Sequence, residues 1–486
     1  MNNLQTKAYP SLKGFGGINT GQAPFNIQDM EATDMLNISS DDFPALTQPK
    51  APVMIFAGMK TILFVGILFD GSWFCVGQKA TDLTRKIYWW FGDAWEGVGL
   101  GDGVQTWLTS STSFAATRFS DSQTILATGF HQGQNNTGLL SIRQTDNWQV
   151  GDPIYTAYKV VPEDTEPIPL NVDFVATKAE RLLTASSFTD ILGASEYQQV
   201  HFINADDFQL FHLQTEQSQF TTGLTVYKDY ALCFKRNTTY ILYGKTPDSY
   251  SLDILSGSVG CVENKTIAET NAGLMWLAAD GVYMYSATTL PYKISEPIQR
   301  YIDKFLKCDG YSAAASDGKK YYLSLQQDEL NSVLCVFDTV NKVWDVEENA
   351  GYTMFVEADN LVYGYDGQNI YNLNQEDFTG HWYFITKPFD LSGASGKVNL
   401  HKFYLSIRAK RGAVLEVYIS PDIDGDRFIN VHRQLFLKDY DGKIPVLIPN
   451  DANFRGINYF RIKLSGQKKC VIYALDAELR IKRGTY

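Results

Sequence analysis

Three tight-turn pairs pace the middle of this 486-residue chain: Asp280-Gly281, Asp317-Gly318 and Asp359-Asn360. Their spacings are 37 and 42 residues. Each is flanked by short apolar runs, as in "GLMWLAADGVYMYS" from Gly273 to Ser286. Asp-Gly and Asp-Asn suit the positive φ values of tight hairpin turns. A period near 40 residues, with several short strands per unit, is how a propeller blade looks in sequence. A position that recurs in this way behaves as a corner. Asp280 therefore reads as a turn residue and not as a catalytic carboxylate.

The same texture begins near residue 51. "TILFVGIL", "SWFCVG", "KIYWWFG", "TILATGF" and "LTVYKDYALCFKRNTTYILYG" are runs of strand length separated by turn residues. Aromatic residues reach 14%, with 28 Tyr and 29 Phe, which favours half-buried pleated surfaces. The predicted class is all-β. Residues 51–380 are predicted to form a degenerate β-propeller without WD or kelch motifs; at roughly 45–55 residues per blade it has six or seven blades.

One inserted helix is predicted over 296–307. Ile298, Tyr301, Ile302, Phe305 and Leu306 fall on one apolar stripe. Ser295 is the expected N-cap, and Glu296 suits the positive helix end. The helix is expected on the outside of the propeller, between two blades.

The flanks differ from this middle. Residues 1–50 are punctuated by Gly, Asn, Asp and Pro and predict an extended N-terminal arm that lies on something else, with one helical turn around Glu31 to Leu36. Residues 381–486 alternate cleanly. In "FRIKL", Phe460, Ile462 and Leu464 face one way while Arg461 and Lys463 face the other. That alternation predicts an antiparallel β-sandwich of about seven strands. The Gly- and Ser-rich link "PFDLSGASGKVN" marks the boundary region.

Charge and composition narrow the function. The net charge of −12 disfavours wrapping around nucleic acid, although an acidic wall lets DNA slide past without trapping it. No run approaches about 18 apolar residues, so no membrane span is expected. The start "MNNLQTKAYPSLKG" lacks the charged and apolar regions of a secretory signal. Cys75, Cys233, Cys261, Cys308, Cys335 and Cys470 form no C-x-x-C pair and are expected to be reduced core residues. The histidines at 131, 201, 212, 381, 401 and 432 have no zinc-type spacing.

Other candidates for chemistry are weak. "GFGGINTG" (Gly14 to Gly21) has Asn19 where a dinucleotide loop needs Gly, and reads as a flexible arm. Asp422, Asp424 and Asp426 begin like a calcium loop, but Arg433 stands at the twelfth position, so a polar hairpin tip is favoured. The same stretch does not complete the sialidase box S-x-D-x-G-x-T-W. Trp89, Trp90 and Trp95 suit sugar stacking or blade packing, the latter being commoner. A glycosidase needs two carboxylates of unlike acidity, and no pair stands out among 54 acidic residues. The sequons at Asn37, Asn135, Asn237 and Asn264 carry no weight without a secretory signal. No catalytic, cofactor-binding or metal-ligating residue is assigned, and no cofactor is expected.

Three stretches in order carry a family resemblance: "GFGGINTG…EATDMLNI…FPALTQPK", "GSVGCVENKTIAETNAGLMWLAADGVYMYS…PYKISEPIQRYI" and "YFRIKLSG…VIYALDAELR". Together they resemble tailed-bacteriophage structural proteins, especially the tail-hub (nozzle, or "tail stabilization") proteins of short-tailed phages. The resemblance implies a non-enzymatic virion protein of the tail, assembled in the host cytoplasm. It implies a hexameric ring beneath the portal and adaptor that prolongs and closes the DNA channel. The implied partners are further copies of the chain, the portal or adaptor, tail fibre, spike or plug proteins, and phage DNA contacted without sequence preference; no membrane is implied. The alternatives are a carbohydrate-binding or glycan-cleaving receptor-binding propeller, or a protein-interaction scaffold.

Overall fold

The structure is a computed structural model. It describes residues 5–482 except 112, 131–135, 147, 161–170, 203–205, 215–219, 307–310, 327–331, 349–350, 392–396, 422–426 and 450–451.

Seven small sheets, antiparallel except for the short parallel pairing of Gly99–Leu100 with Tyr155–Lys159 in the second, follow one another among the described residues. Their innermost strands are Thr61–Ile67, Ala115–Ser120, Phe174–Lys178, Thr221–Tyr227, Ala268–Thr270, Tyr311–Ser316 and Met354–Ala358. Neighbours in this series touch, the fourth and fifth through the turn Asn264–Thr266 that precedes Ala268–Thr270, and the seventh touches the first, so the ring is closed. This is a seven-bladed β-propeller. Blade 7 takes three strands from Met354–Asp377 and its outermost strand, Lys50–Phe56, from the far end of the chain. That strand fastens the ring. Its Phe56 sits among Trp73, Trp90 and Trp95 of blade 1, with centroids 4.5 Å from Trp90 and 5.8 Å from Trp95. Edge-to-face aromatic contacts of this kind add to the area they bury.

The repeat is real, but the three turns that announce it are not equivalent. Turns between first and second strands fall at Asp70-Gly71, Asp121-Ser122, Ala179-Glu180, Lys228-Asp229, Asn271-Ala272, Asp317-Gly318 and Asp359-Asn360. Asp280 lies instead between the second and third strands of blade 5. Gly281 does not supply a positive φ there. It opens the third strand, where any side chain would run into Ser295 Oγ and the Lys293 side chain. Meanwhile Ala179 (φ 49°) and Glu180 (φ 58°) take the two-positive-φ turn without a glycine. Closure of the blade imposes that conformation against residue preference.

Apart from the inserted helix, a second short one appears, Val104–Ser110, between blades 1 and 2; it buries Val104, Trp107 and Leu108. The inserted helix is a 3-10 turn, Glu296–Ile298, running into Gln299–Leu306. Ile302 and Phe305 are buried. Ser295 does not cap it. Its Oγ accepts from Val282 N at 2.9 Å and so braces the blade 5 hairpin.

The C-terminal region is a two-sheet antiparallel sandwich, and two N-terminal strands are part of it. One sheet runs Gln5–Leu12, Cys470–Lys482, Lys397–Ala409 and Tyr440–Leu447, with Arg455–Ile457 alongside. The other runs Ala32–Leu36, His381–Thr386, Tyr459–Gln467, Val414–Ser420 and Ile429–Leu435, with Phe389–Asp390 alongside. Each sheet thus has an N-terminal strand covering one edge, which removes an open row of backbone donors and acceptors. Two expectations are corrected here. Residues 32–36 form a strand and not a helical turn, and the described part of the arm packs on its own chain. The apolar Ala32 and Met35, both fully buried, gain more from the sheet than an isolated turn would give them.

A single apolar cluster joins the modules. It contains Leu277, Ile302, Phe337 and Trp344 of the propeller side, Phe15, Ile18 and Met35 of the N-terminal segment, and Trp382, Phe384 and Leu415 of the sandwich.

Candidate functional site: a three-way junction and an axial cavity

The three stretches that carry the resemblance meet. Ile18 N donates to Trp344 O at 2.8 Å, and Thr20 N donates to Pro297 O at 2.7 Å. Trp344 Nε1 in turn donates to Ile294 O at 2.8 Å. Gly17 has φ +74°, and a Cβ there would stand 2.6 Å from Trp344 O. At Gly21 a Cβ would run into the Glu296 carbonyl. Gly17 and Gly21 of "GFGGINTG" are therefore needed because backbone passes close to backbone. Phe15 and Ile18 are buried, so this stretch is not a flexible arm. The C-terminal stretch joins through Leu46 and Ile472, which exchange two backbone hydrogen bonds of 2.9 Å, and through Gln48, whose Oε1 accepts from Cys470 N at 2.7 Å.

Beside the junction the N-terminal segment is fastened to the outer edge of blade 6 by charge. Lys320 Nζ pairs with Asp41 Oδ1 at 2.7 Å and donates to Ser39 Oγ at 3.1 Å. Ser40 N donates to Asp345 Oδ2 at 2.7 Å. Asp345 is only 2% exposed. Burial pushes its carboxyl up to about 7, against the pull of Lys320. Burial likewise pushes Glu347 up to about 8. One lysine faces three acids here, so the cluster is short of positive charge.

The second feature is a cavity of about 520 Å³ on the propeller axis, lined by the innermost strands of all seven blades. Glu269, Ala315 and Glu357 are the penultimate residues of the inner strands of blades 5, 6 and 7, so they share one level of the ring. Glu357 Oε1 accepts from Ser316 N at 2.7 Å. Its side chain is exposed at the cavity yet flanked by neighbouring blades. That enclosure raises its carboxyl to about 7, and the Glu269 and Asp317 charges add to the rise. Elsewhere on the wall, Thr177 Oγ1 of blade 3 lies 3.0 Å from Thr117 Oγ1 of blade 2. Asn264 Oδ1 accepts from Leu224 N at 3.1 Å. Sequence reasoning named no acid pair. The signal was present as a Glu one place before the end of two inner strands, legible only once the strand ends are known.

The other named candidates resolve simply. Asp280 is a surface turn residue: Tyr283 OH donates to it at 3.1 Å and Lys293 Nζ lies 3.4 Å away. Asp317 accepts from Lys319 N, Lys320 N and Tyr322 OH within its own hairpin. Asp359 and Asn360 form a two-residue turn with φ 53° and 59°. Trp89 and Trp95 are core residues. Cys75, Cys233, Cys261, Cys335 and Cys470 are buried free thiols, while Cys308 lies outside the described residues. Asp422, Asp424 and Asp426, His131 and Asn135 also lie outside them. Among the described residues no three His, Cys, Asp or Glu side chains converge as metal ligands, and no helix is long and apolar enough to cross a membrane.

No protein-family model and no curated protein matches the chain. Solved structures similar to it include the extracellular domain of the hybrid two component system BT4673 from B. thetaiotaomicron, at 10% identity and TM-score 0.41 over 79% of this chain and 47% of that one. The chain thus spans about half the length of that protein. The Neurospora crassa Pan2 WD40 domain is similar at 8% identity and TM-score 0.37, over 67% of this chain and 90% of that one. Trypanosoma rangeli sialidase is similar at 8% identity and TM-score 0.27, over 93% of this chain and 95% of that one. Likeness of this order carries no argument about activity. The propeller assignment rests on the seven sheets and their closed ring.

Proposed function

We propose that this chain is a structural subunit of a bacteriophage tail, a ring-forming hub below the portal and adaptor that extends and closes the DNA channel and anchors fibres or spikes. The observation that carries the reading is the junction. The three stretches that resemble tail-hub proteins lie hundreds of residues apart in sequence, yet they pack as one unit that welds propeller to sandwich. A continuous apolar core makes the two modules move together, as a ring subunit under pressure from packaged DNA requires. The acidic balance suits a wall past which DNA slides. The axial cavity has the volume of a small-molecule pocket, so in this reading the DNA channel runs between subunits and not through the propeller.

Electron microscopy of the purified chain, alone and with particles, tests this. Six-fold rings at a tail vertex are the expected result. A monodisperse monomer that hydrolyses a glycan would overturn it in favour of the receptor-binding alternative.

A further inference from the structure

The acidic balance of the chain is not shared by its modules. Residues 51–380 carry 21 Lys and Arg against 39 Asp and Glu. Residues 381–486 carry 18 against 10. The propeller therefore stands at −18 and the sandwich at +8. Segregation on this scale marks surfaces that meet charged partners.

Positive charge gathers at one end of the sandwich. Lys410, Arg411, Lys438, Lys468 and Lys469 sit in three adjoining turns between its strands. Gly412 N donates to Phe436 O at 2.7 Å and Lys410 N to Lys469 O at 3.3 Å, which holds the turns side by side. The Lys468 ammonium lies against Gly412, where a Cβ would stand 3.0 Å from its Nζ. Asp439 is the one acid in these turns. It accepts from Arg411 N at 2.8 Å and pairs with Lys410 Nζ at 3.5 Å. Asp377, at the end of blade 7, lines the same open hollow of about 310 Å³. Leu437, in the middle turn, is 79% exposed, and Leu435 before it is 52% exposed. The end thus has an apolar centre and a cationic rim, which is the anatomy of a protein contact. DNA phosphates would satisfy the cations and offer the leucines nothing.

We propose that this basic end of the sandwich docks on the acidic propeller of a second copy of the chain. The complementary charge is carried by the chain itself, at −18. Leu437 and four of the five cations are exposed within one copy, so the surface that covers them comes from another. The two faces differ, so the contact is heterologous: it repeats head to tail, and closes into a ring or grows as a filament. The inference rests on the reading of the chain as a ring subunit and names the two faces that meet.

Sedimentation velocity and carbodiimide cross-linking of the full chain test this. Carbodiimide joins an amine directly to a carboxyl, and mixing plain with isotope-labelled chains marks the links between copies. The expected result is self-association at low salt that is lost in about 1 M NaCl, where charges are screened beyond about 3 Å. Links between copies should join Lys410, Lys438, Lys468 or Lys469 to acids of residues 51–380. Arg411→Glu with Lys438→Glu should weaken association about tenfold or more. Leu437→Ser should weaken it too. All three side chains are exposed, so a melting temperature equal to wild type shows that the variants are folded. A wild-type chain that stays monomeric at low salt would overturn the inference. So would links between copies confined to propeller with propeller or sandwich with sandwich, or a monomer that binds duplex DNA and loses it in the double variant. Six-fold rings held by propeller–propeller links would sink the inference and spare the tail-hub reading. Sandwich–propeller links in open filaments would do the reverse.

Discussion

Lys320 Nζ lies 2.7 Å from Asp41 Oδ1, an ion pair that joins residues 279 apart in sequence and pins the N-terminal segment to the edge of blade 6. The lysine side chain is 11% exposed and the aspartate 47%. The pair is therefore partly screened, and its partner acids matter more than the pair itself. Lys320→Met leaves Asp345 and Glu347 with no cation near them. The expected cost is about 2 kcal/mol, below that of a fully buried pair because Asp41 reaches water. Urea denaturation reads it as a lowered midpoint, and a midpoint equal to wild type would contradict it.

The same cluster sets a pH dependence. Asp345 and Glu347 have folded-state carboxyls at about 7 and about 8, above their ordinary values near 4. The folded chain therefore holds more protons than the unfolded chain between those limits. The stability they contribute is complete below about pH 4 and is lost as pH rises toward 8. Asp345→Asn keeps an acceptor for Ser40 N and removes one titration. The slope of stability against pH over that window should flatten in the variant. An unchanged slope would mean that the cluster does not report these acids.

Gly21 lies against the Glu296 carbonyl with no room for a methyl group. Gly21→Ala must push the N-terminal segment off the helix turn at Glu296–Ile298. Overpacking of this kind costs about 1–3 kcal/mol. If the junction sets the angle between propeller and sandwich, rings should also form poorly, as scored by electron microscopy beside thermal melting. Gly97, where a Cβ meets nothing within 4 Å, provides the control: Gly97→Ala should leave both unchanged.

Asp280→Asn tests the turn reading from the other side. The Lys293 contact at 3.4 Å is between exposed or half-exposed side chains, so its loss costs no more than about 0.5 kcal/mol. Thermal melting should be close to wild type. Loss of a specific activity in a folded Asp280→Asn protein would make the corner a site after all.

The amino-acid sequence determined the class of this fold. Period-2 alternation in "FRIKL" and short apolar runs between Asp-Gly pairs are local properties, and each strand's pattern stands whatever packs beside it. What the sequence left open is everything that depends on which strands become neighbours. Blade 7 needs Lys50–Phe56, some 300 residues from its other strands, so the ring and its seven blades are visible only in three dimensions. Residues 32–36 are short and ambiguous alone, and only a free edge beside His381–Thr386 makes them a strand. Glu269 and Glu357 are ordinary glutamates in the chain. Tertiary structure brings them to one cavity, and enclosure by separate blades then raises the Glu357 carboxyl. Local residue chemistry sets strands and turns because it acts over a few residues; pairing, closure and enclosure act across the whole chain, and that is where the junction and the acid pair were decided.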